Sequence, residues 1–358
     1  MSYKVSSICM KVIPIAVFLL LLQPAFGQYN WKELDDKLEA NQKLLGNNVV
    51  AMIWKGDSVL YKKEMGKFSS TTQAPIASCS KWLTATVVMM FVEEGKLSLN
   101  DKVAKYIPAF NTASKKDITI QNCLSHMTGI SDDGKFLARL LERRKFASLE
   151  EEVNDFAKKE QRAAPGTDFW YGNVGLNTAG RVLEIISGKR FEDIMKERLF
   201  TPLEMKNSSF TSNDKSPVNP SGGAVSTADD YMRFLVMLLN NGRYKDKQLL
   251  SEKTVAMMKE VQDKPGQITS APKSAEGYCY ASGSWVISSK QVQYKGAETK
   301  TIATALASPG LFGTWPMIDY CHGYAYIVFV KNLLGDERAD VHRELKKIID
   351  EQIPGSCK

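Results

Sequence analysis

The order of the hydrophobic patterns along the chain constrains its fold more than any other feature. Residues 49–54 and 59–61 are rich in β-branched and aromatic side chains and flank a turn at residues 55–57, which is typical of a β-hairpin. Strand patterns return only after about residue 278, at residues 285–287, 303–307, 315–318 and 324–330. The region between them, roughly residues 82–258, has helical patterns. Strands at both ends of a helical middle predict one antiparallel sheet built from both termini, which is an α+β fold.

Helix signals support this division. Residues 175–186 have helical spacing and are followed by Gly188, a common helix stop. A second helix is predicted over residues 227–239, where Ser226 and Thr227 provide the capping side chains. Apolar residues also recur at helical spacing from Trp31 to Leu45, and the last amphipathic helix is predicted over residues 340–353.

These patterns predict how the two parts of the chain are organised. We expect residues 28–80 and about 275–358 to form the sheet subdomain, which is flanked by helices. A mostly helical subdomain of about residues 81–274 is then inserted between its strands, and residues 28–358 form a single domain.

The first 27 residues resemble a targeting segment. Lys4 and Lys11 are their only charges, an uncharged and mostly aliphatic run covers residues 12–22, and small residues follow at Ala25 and Gly27. The alternative is a membrane anchor, but the run is about half of the ~20 residues that span a bilayer. We therefore predict a cleaved signal peptide at residues 1–27, export to the periplasm or the medium, and no membrane span after cleavage.

Charge and cysteine content exclude several classes of protein. The chain has 47 Lys and Arg against 40 Asp and Glu, and loss of Lys4 and Lys11 leaves 45 against 40, a net charge of +5. The basic residues are interspersed with acidic ones, so no nucleic-acid partner is expected. Five cysteines remain after cleavage, so at least one thiol stays free, and the sequence leaves the pairing of the others open.

Cofactor motifs are missing as well. The sequence contains neither G-x-G-x-x-G nor G-x-S-x-G, which argues against a dinucleotide-binding enzyme and against the nucleophile elbow of α/β-hydrolases. The three histidines lie too far apart in sequence for a short zinc-binding spacing. We therefore expect neither a metal nor an organic cofactor.

The most informative motif is S-x-x-K at Ser78 and Lys81. Residues three apart share a face of a helix, so the lysine amine can reach the serine hydroxyl. A serine is a weak nucleophile and needs such a neighbouring base. Alone, the motif also fits a helix-capping serine followed by a solvated lysine, and that simpler interpretation is favoured until other segments are considered.

A second segment places polar groups beside a helix start. A Pro-Gly turn at residues 165–166 and an aromatic run precede Tyr171 and Asn173, which lie one residue apart in a loop before the helix at residues 175–186. Both side chains could face a cleft. The alternative is a tyrosine that only packs against the following helix.

Together these segments resemble one family. Their order is similar to that of the penicillin-recognising serine hydrolases, in particular the class C β-lactamase-like branch, which includes DD-peptidases, D-amino-acid amidases and esterases. Residues 118–129 resemble the family segment between the first two motifs, and residues 222–231 resemble its later glycine pair and helix cap. The resemblance extends over nearly all of residues 49–335.

The resemblance implies roles for individual residues. Ser78 would be the acylated nucleophile, Lys81 its base, Tyr171 the proton shuttle to the leaving group, and Asn173 a donor to a substrate carbonyl. The backbone N–H of Ser78 would form half of an oxyanion hole.

The third motif of the family is altered in this chain. In the family it begins with Lys or His, but the matching segment here begins Ser308-Pro309-Gly310-Leu311 and has no cation. Ser308 would offer substrate only a hydrogen bond. Gly310 still permits close approach of the backbone, and the Leu311 N–H would complete the oxyanion hole.

The implied function is an exported serine hydrolase that forms an acyl-enzyme on Ser78 and acts on small esters or amides. One alternative is a β-lactamase or DD-peptidase that acts on β-lactams or peptidoglycan stem peptides, although the missing cation disfavours their carboxylates. Another is a binding homologue that has lost turnover. The partner in each case is a small molecule or peptide.

Three further residues have simpler expected roles. His126 is expected to be a structural, hydrogen-bonding histidine, and Cys79 to be buried packing beside the nucleophile. His322 lies in a predicted turn between two strands and is expected to be exposed.

Overall fold

The structure is a computed structural model, and it describes residues 29–131, 143–210, 216–264, 266–293, 299–332 and 339–357. The chain divides into two compact units, residues 1–30 and residues 31–358, and all elements named below belong to the second. The predicted signal peptide lies outside the described residues.

The described part of the chain has strands at both ends of a mostly helical middle, as predicted, but the middle also contains strands of two or three residues that were not predicted. The helices are α1 (Lys32–Ala40), α2 (Ser80–Glu93), α3 (Ile120–Leu124), α4 (Leu149–Lys158), α5 (Val174–Ser187), α6 (Phe191–Met195), α7 (Ala228–Leu239), α8 (Glu252–Met258) and α9 (Ala339–Gln352). The strands are β1 (Val49–Lys55), β2 (Ser58–Met65), β3 (Ala74–Pro75), β4 (Phe169–Trp170), β5 (Ser209–Phe210), β6 (Ala224–Ser226), β7 (Arg243–Tyr244), β8 (Lys247–Gln248), β9 (Ile268–Ser270), β10 (Cys279–Tyr280), β11 (Trp285–Gln293), β12 (Thr299–Ala307), β13 (Trp315–Asp319) and β14 (Tyr324–Val330).

The main sheet joins the two ends of the chain. Its seven strands have the order β10-β11-β12-β13-β14-β1-β2, and every neighbouring pair is antiparallel. The amino-terminal strand β1 pairs with the carboxy-terminal strand β14, with Val49 opposite Val330. The predicted α+β fold, with one sheet formed from both termini, is confirmed.

Strand β14 is apolar throughout because both of its faces are buried. Ala325, Ile327 and Phe329 belong to the main hydrophobic core, and α7 packs on β14, β13 and β1. Tyr324 points to the opposite face and donates a hydrogen bond to Asp350 of α9. Helices therefore cover both faces of the central strands, which is why all of β14 is buried.

Helix α2 lies within the hydrophobic core. Residues 80–91 of this helix are all buried, and it packs against α5 and α8. A second, small sheet of β3, β6 and β5 leads the chain into α2. Within the described residues, no helix is both long enough and apolar enough to cross a membrane.

Two element boundaries differ from the sequence-based expectation. The first helix ends at Ala40, and Leu45 is buried in the turns that follow rather than in a longer helix. Strands β11 and β12 are nine residues each and extend well beyond the predicted residues 285–287 and 303–307. Their outer halves are polar and largely exposed, so they lack the apolar signal of a buried strand.

The described cysteines form one disulfide bond. Cys321, in the turn between β13 and β14, is bonded to Cys357 near the carboxyl terminus. Cys79, Cys123 and Cys279 are free thiols, of which the first two are buried.

Candidate active site

Ser78 lies in a short 3₁₀ turn, Ala77–Cys79, between β3 and α2. Its side chain is partly exposed, whereas the residues of α2 that follow are buried. Ala77 has a φ of +44°, in the left-handed region that a non-glycine residue adopts only at a cost in energy. Strain of this kind concentrates at functional sites, and here it presents Ser78 at the start of a helix.

Lys81 is in the first turn of α2, and only 2% of its surface is exposed. Its Nζ donates hydrogen bonds to Ser78 Oγ at 3.1 Å and to the main-chain oxygen of Ser221 at 2.9 Å. The predicted contact between the serine and lysine of S-x-x-K is therefore present, and the solvated-lysine alternative is wrong.

Tyr171 completes the group. Lys81 Nζ lies 4.7 Å from the centroid of its ring. The Tyr171 ring packs against His126 at 4.6 Å and Trp285 at 5.2 Å between centroids, and its main-chain N–H donates to Ser270 of β9. The strand pair β4 and β9 thus fixes the tyrosine beside Lys81.

His126 packs against the ring of Tyr171. Its Nε2 is within hydrogen-bonding distance of the Tyr280 hydroxyl, at 3.2 Å. Burial, together with the positive charge of Lys81, lowers the pKa of His126 well below its usual value, so the ring is neutral at pH 7. The prediction of a structural, hydrogen-bonding histidine is confirmed.

The third motif lies against the turn that carries Ser78. A Cβ at Gly310 would lie 2.3 Å from the main-chain oxygen of Ile76 and 3.0 Å from Cys79 Sγ, so only glycine allows this approach. Cys79 is fully buried, as expected, and burial raises the pKa of its thiol.

Ser308 is buried beside the turn that carries Ser78. Its side chain is 3% exposed, and its Oγ lies 3.4 Å from the main-chain oxygens of Ser78 and Gly283. In this structure the hydroxyl therefore links the end of β12 to the turn that carries Ser78, and its expected contact with substrate stays a prediction.

Two backbone N–H groups remain for an oxyanion. Gly310 N–H is used within its own turn, where it donates to Thr314. In the described parts of the chain, no main-chain hydrogen bond engages the N–H of Ser78 or of Leu311. Both can therefore donate to a substrate oxygen that gains negative charge.

Asn173 occupies the amino-terminal cap of α5 and is partly buried. Its main-chain oxygen accepts hydrogen bonds from Ser221 Oγ at 3.0 Å and from the Asn177 N–H at 3.0 Å. Asn173 therefore lies next to the residue that binds Lys81.

Sequence reasoning missed Ser221. This residue immediately precedes the glycine pair that marks the family segment at residues 222–231, but its contact with Lys81 is made by a main-chain oxygen. A main-chain acceptor leaves no residue-type signature, and the glycine pair was the only signal that this segment approaches the site.

The expectation of an exposed His322 is wrong. Its side chain is 23% exposed, and its Nδ1 lies 3.0 Å from Asp319 Oδ1 and 3.8 Å from Asp350 Oδ1. These three residues are grouped closely enough to offer ligands to a metal ion. However, Lys346 Nζ already pairs with both carboxylates, at 2.7 and 2.6 Å.

The fold and the Ser78, Lys81 and Tyr171 geometry define a class of serine hydrolase. The sequence profile of the beta-lactamase family matches residues 35–350. The chain belongs to this family of serine hydrolases.

Individual relatives are consistent with this assignment. Penicillin-binding protein 4 of Amycolatopsis lactamdurans is 28% identical over 272 residues, which cover 66% of this chain and 70% of the relative. The crystal structure of a predicted beta-lactamase from Bacteroides dorei DSM 17855 superposes with a TM-score of 0.76 at 26% identity, covering 90% of this chain and 99% of the other.

A third relative shares the fold at lower identity. EstCE1, a hydrolase with promiscuous acyltransferase activity, has a TM-score of 0.71 at 17% identity and covers 88% of this chain and 98% of its own. At this identity the likeness concerns the fold alone.

Proposed function

We propose that this protein is an exported serine hydrolase that forms an acyl-enzyme on Ser78 and favours small neutral esters or amides. The observation that carries the proposal is the Lys81 amine, which is buried and lies 3.1 Å from Ser78 Oγ, with the Tyr171 ring beside it. A base held against a weak nucleophile is the arrangement that acyl transfer requires.

The reaction follows from the positions of these groups. Ser78 Oγ attacks the substrate carbonyl carbon while its proton passes to Lys81. The developing oxyanion accepts hydrogen bonds from the N–H groups of Ser78 and Leu311. The bond to the leaving alcohol or amine then breaks, Tyr171 gives its hydroxyl proton to the leaving group, and the proton held by Lys81 passes to the Tyr171 oxygen. Water attacks the acyl-enzyme, releases the acid and restores the Ser78 hydroxyl.

The preference for neutral substrates rests on the third motif. Residues 308–310 carry no positive charge, and the Ser308 hydroxyl is directed to main-chain oxygens. A carboxylate beside this segment would lose its water without gaining a charged partner from the motif, which is unfavourable. The main alternative is a β-lactamase or DD-peptidase, which the name of the Amycolatopsis relative favours.

Export is proposed on two observations. Residues 12–22 form an uncharged, mostly aliphatic run followed by small residues at Ala25 and Gly27, and a disulfide bond joins Cys321 to Cys357. Disulfide bonds persist mainly outside the cytosol. Amino-terminal sequencing of the protein from the periplasm or medium should begin near Gln28; an uncut chain in the cytosol would contradict export.

Covalent labelling with a fluorophosphonate tests the proposed nucleophile. We expect one adduct per chain by intact-protein mass spectrometry, none with Ser78→Ala, and labelling about 100 to 10,000 times slower with Lys81→Ala because a positioned base is lost. Ser289→Ala, a substitution at an exposed serine of β11, is the matched control. Full labelling of Ser78→Ala would refute the assignment, and absence of labelling in the wild type would favour the binding homologue.

Substrate class is tested by the ratio of kcat/KM for a penicillin to that for a neutral ester. We expect a low ratio in the wild type and a rise of about tenfold or more in the double variant Ser308→Lys, Pro309→Thr, since a charge-assisted hydrogen bond contributes about 1.5–3 kcal/mol. An unchanged ratio in a folded double variant would mean that other loops set specificity.

A further inference from the structure

The residue that accepts the Lys81 hydrogen bond belongs to a partly buried segment that forms neither a helix nor a strand. We call residues 217–223 the Ser221 segment. Its carbonyl groups are held from other elements: Thr84 of α2 donates to the oxygen of Pro220 at 2.6 Å, and Arg143 donates to the oxygens of Pro217 and Val218 at 3.1 and 3.0 Å. Side chains, rather than a helix or strand ladder, therefore set its position.

Asn177 of α5 holds the amide side of Ser221. Its Oδ1 accepts the Ser221 N–H at 2.9 Å, and its Nδ2 donates to Glu152 Oε2 at 3.3 Å. Both ends of the Asn177 amide are engaged, so its orientation is fixed. Asn177 is fully buried and has no exposed surface that could contact solvent.

A buried ion pair lies behind Asn177. Arg143 donates to the two oxygens of Glu152 at 2.6 and 2.7 Å, in the bidentate geometry that gives the strongest charge-assisted contacts. Hydrogen bonds therefore run without interruption from Arg143 and Glu152 through Asn177 and Ser221 to Lys81, which reaches Ser78.

We propose that Asn177 is a positioning residue that places the Lys81 amine on Ser78 through the main chain of Ser221. This inference rests on the proposed function. Asn219 Oδ1 also accepts the Ser221 N–H, at 3.2 Å, but Asn219 is part of the same segment and cannot tie it to α5. Ser221 Oγ also donates to the main-chain oxygen of Asn173 at the cap of α5, but the Asn177 contact is the one from α5 that holds the main chain of Ser221, which carries the acceptor of Lys81.

The position of this acceptor matters because the lysine side chain is long and rotatable. Its amine is held at Ser78 by directional hydrogen bonds, of which the one to Ser221 is the shorter of the two at 2.9 Å. A displacement of about 1 Å at a catalytic group can reduce a rate by about 100-fold.

The test compares two substitutions at residue 177. Asn177→Ser is too short to reach the Ser221 N–H, and we expect the rate constant of fluorophosphonate labelling to fall about 10 to 100-fold. Asn177→Asp keeps an oxygen that accepts the Ser221 N–H, and a carboxyl proton shared with Glu152 replaces the amide donor. Its labelling rate constant should stay within about fivefold of the wild-type value. KM for a neutral ester should change less than about threefold in both, because Asn177 touches no substrate.

The readout separates positioning from folding. A variant that is only destabilised labels a smaller fraction of chains but labels the folded ones at the wild-type rate. Thr86→Val is the matched control, because Thr86 is buried in α2 beyond Lys81 and donates only to Trp82. It should lose stability and keep its rate.

Each outcome decides one point. A low rate with Asn177→Ser and a restored rate with Asn177→Asp support the inference. Wild-type rates in both variants, or equally low rates in both, overturn it. Ser78→Ala in the same series tests the proposed function separately, since labelling of that variant would refute the nucleophile whatever residue 177 does.

Discussion

Gly310 packs directly against the turn that carries Ser78, and this contact requires a residue without a Cβ atom. The segment after β12 passes so near Ile76 and Cys79 that no Cβ fits between them. Leu311 follows Gly310 directly, and its N–H is the second donor of the proposed oxyanion hole.

Substitution of Gly310 by alanine should therefore affect activity strongly. The new methyl group would lie 2.3 Å from the Ile76 oxygen and must push the segment away. We expect kcat/KM for a neutral ester to fall by about 100-fold or more, since loss of one oxyanion donor costs about that much. Gly95→Ala is the control: its φ is +69°, nothing lies within 4 Å of the added Cβ, and it should lower stability by about 1 kcal/mol without changing kcat/KM. Equal activity in both variants would contradict the proposed oxyanion hole.

At this scale the sequence predicts the side chains of the site better than their main-chain partners. Ser78 and Lys81 are recognisable because three-residue spacing brings them together on any helix. The contact of Lys81 with Ser221 joins residues 140 apart and depends on a carbonyl that every residue has. Ser308 was placed correctly beside the site, but its orientation depends on the packing of β12 against the nucleophile turn.

The elements of the sheet are held together partly by charge. Asp319 at the end of β13 is buried and accepts from Lys346 of α9 at 2.7 Å. Burial alone would raise the pKa of this carboxyl, but the hydrogen bond and the charge of Lys346 outweigh it and lower the pKa of Asp319 below its usual value.

This pair predicts a pH-dependent stability. A carboxyl with a lowered pKa stabilises the fold above its unfolded pKa of about 3.9, and the contribution is lost as pH falls through the lower folded value. Asp319→Asn should reduce the free energy of unfolding by about 1–3 kcal/mol at pH 7, because it removes the more buried of the two carboxylates that pair with Lys346 and leaves only Asp350. The difference from the wild type, measured by chemical denaturation, should shrink at pH values below about 4. A constant difference from pH 7 to pH 3 would show that the charge is not involved.

Element boundaries were predictable only where the element is buried along its length. Strands β13 and β14 are buried along their whole length, and their apolar runs were found almost to the residue. The outer half of β11, from Ser288 to Gln293, is mostly polar and, among the described residues, pairs with β12 alone, so hydrogen bonding rather than burial defines it. A hydrophobicity pattern cannot detect such a strand.

For the whole molecule, the order of elements was enough to predict a sheet built from both termini. Once strands lie at both ends of a helical middle, a single sheet has to pair strands from the two ends, as β1 and β14 do. The disulfide bond could not be predicted, because five cysteines allow several pairings and only the folded chain brings Cys321 to Cys357.

The disulfide bond should stabilise the whole fold without affecting catalysis. It closes a loop of 36 residues that includes α9, and a loop of this size is expected to contribute about 3–4 kcal/mol. Cys357→Ser should lower Tm by several degrees and leave kcat/KM for a neutral ester within about twofold. Cys279→Ser, which removes a free and partly buried thiol, is the matched control and should not lower Tm by this amount. A large loss of activity in Cys357→Ser would link the carboxyl terminus to the site.

The most direct measurement of the central claim is the capture of the acyl-enzyme itself. The wild-type protein is mixed with a neutral activated ester, quenched with acid within the first turnovers and analysed by mass spectrometry of its peptides. The peptide that contains Ser78 should carry the mass of the acyl group, and the adduct should disappear as the ester is consumed. Turnover with no adduct on Ser78, or with the acyl group on another residue, would contradict the claim.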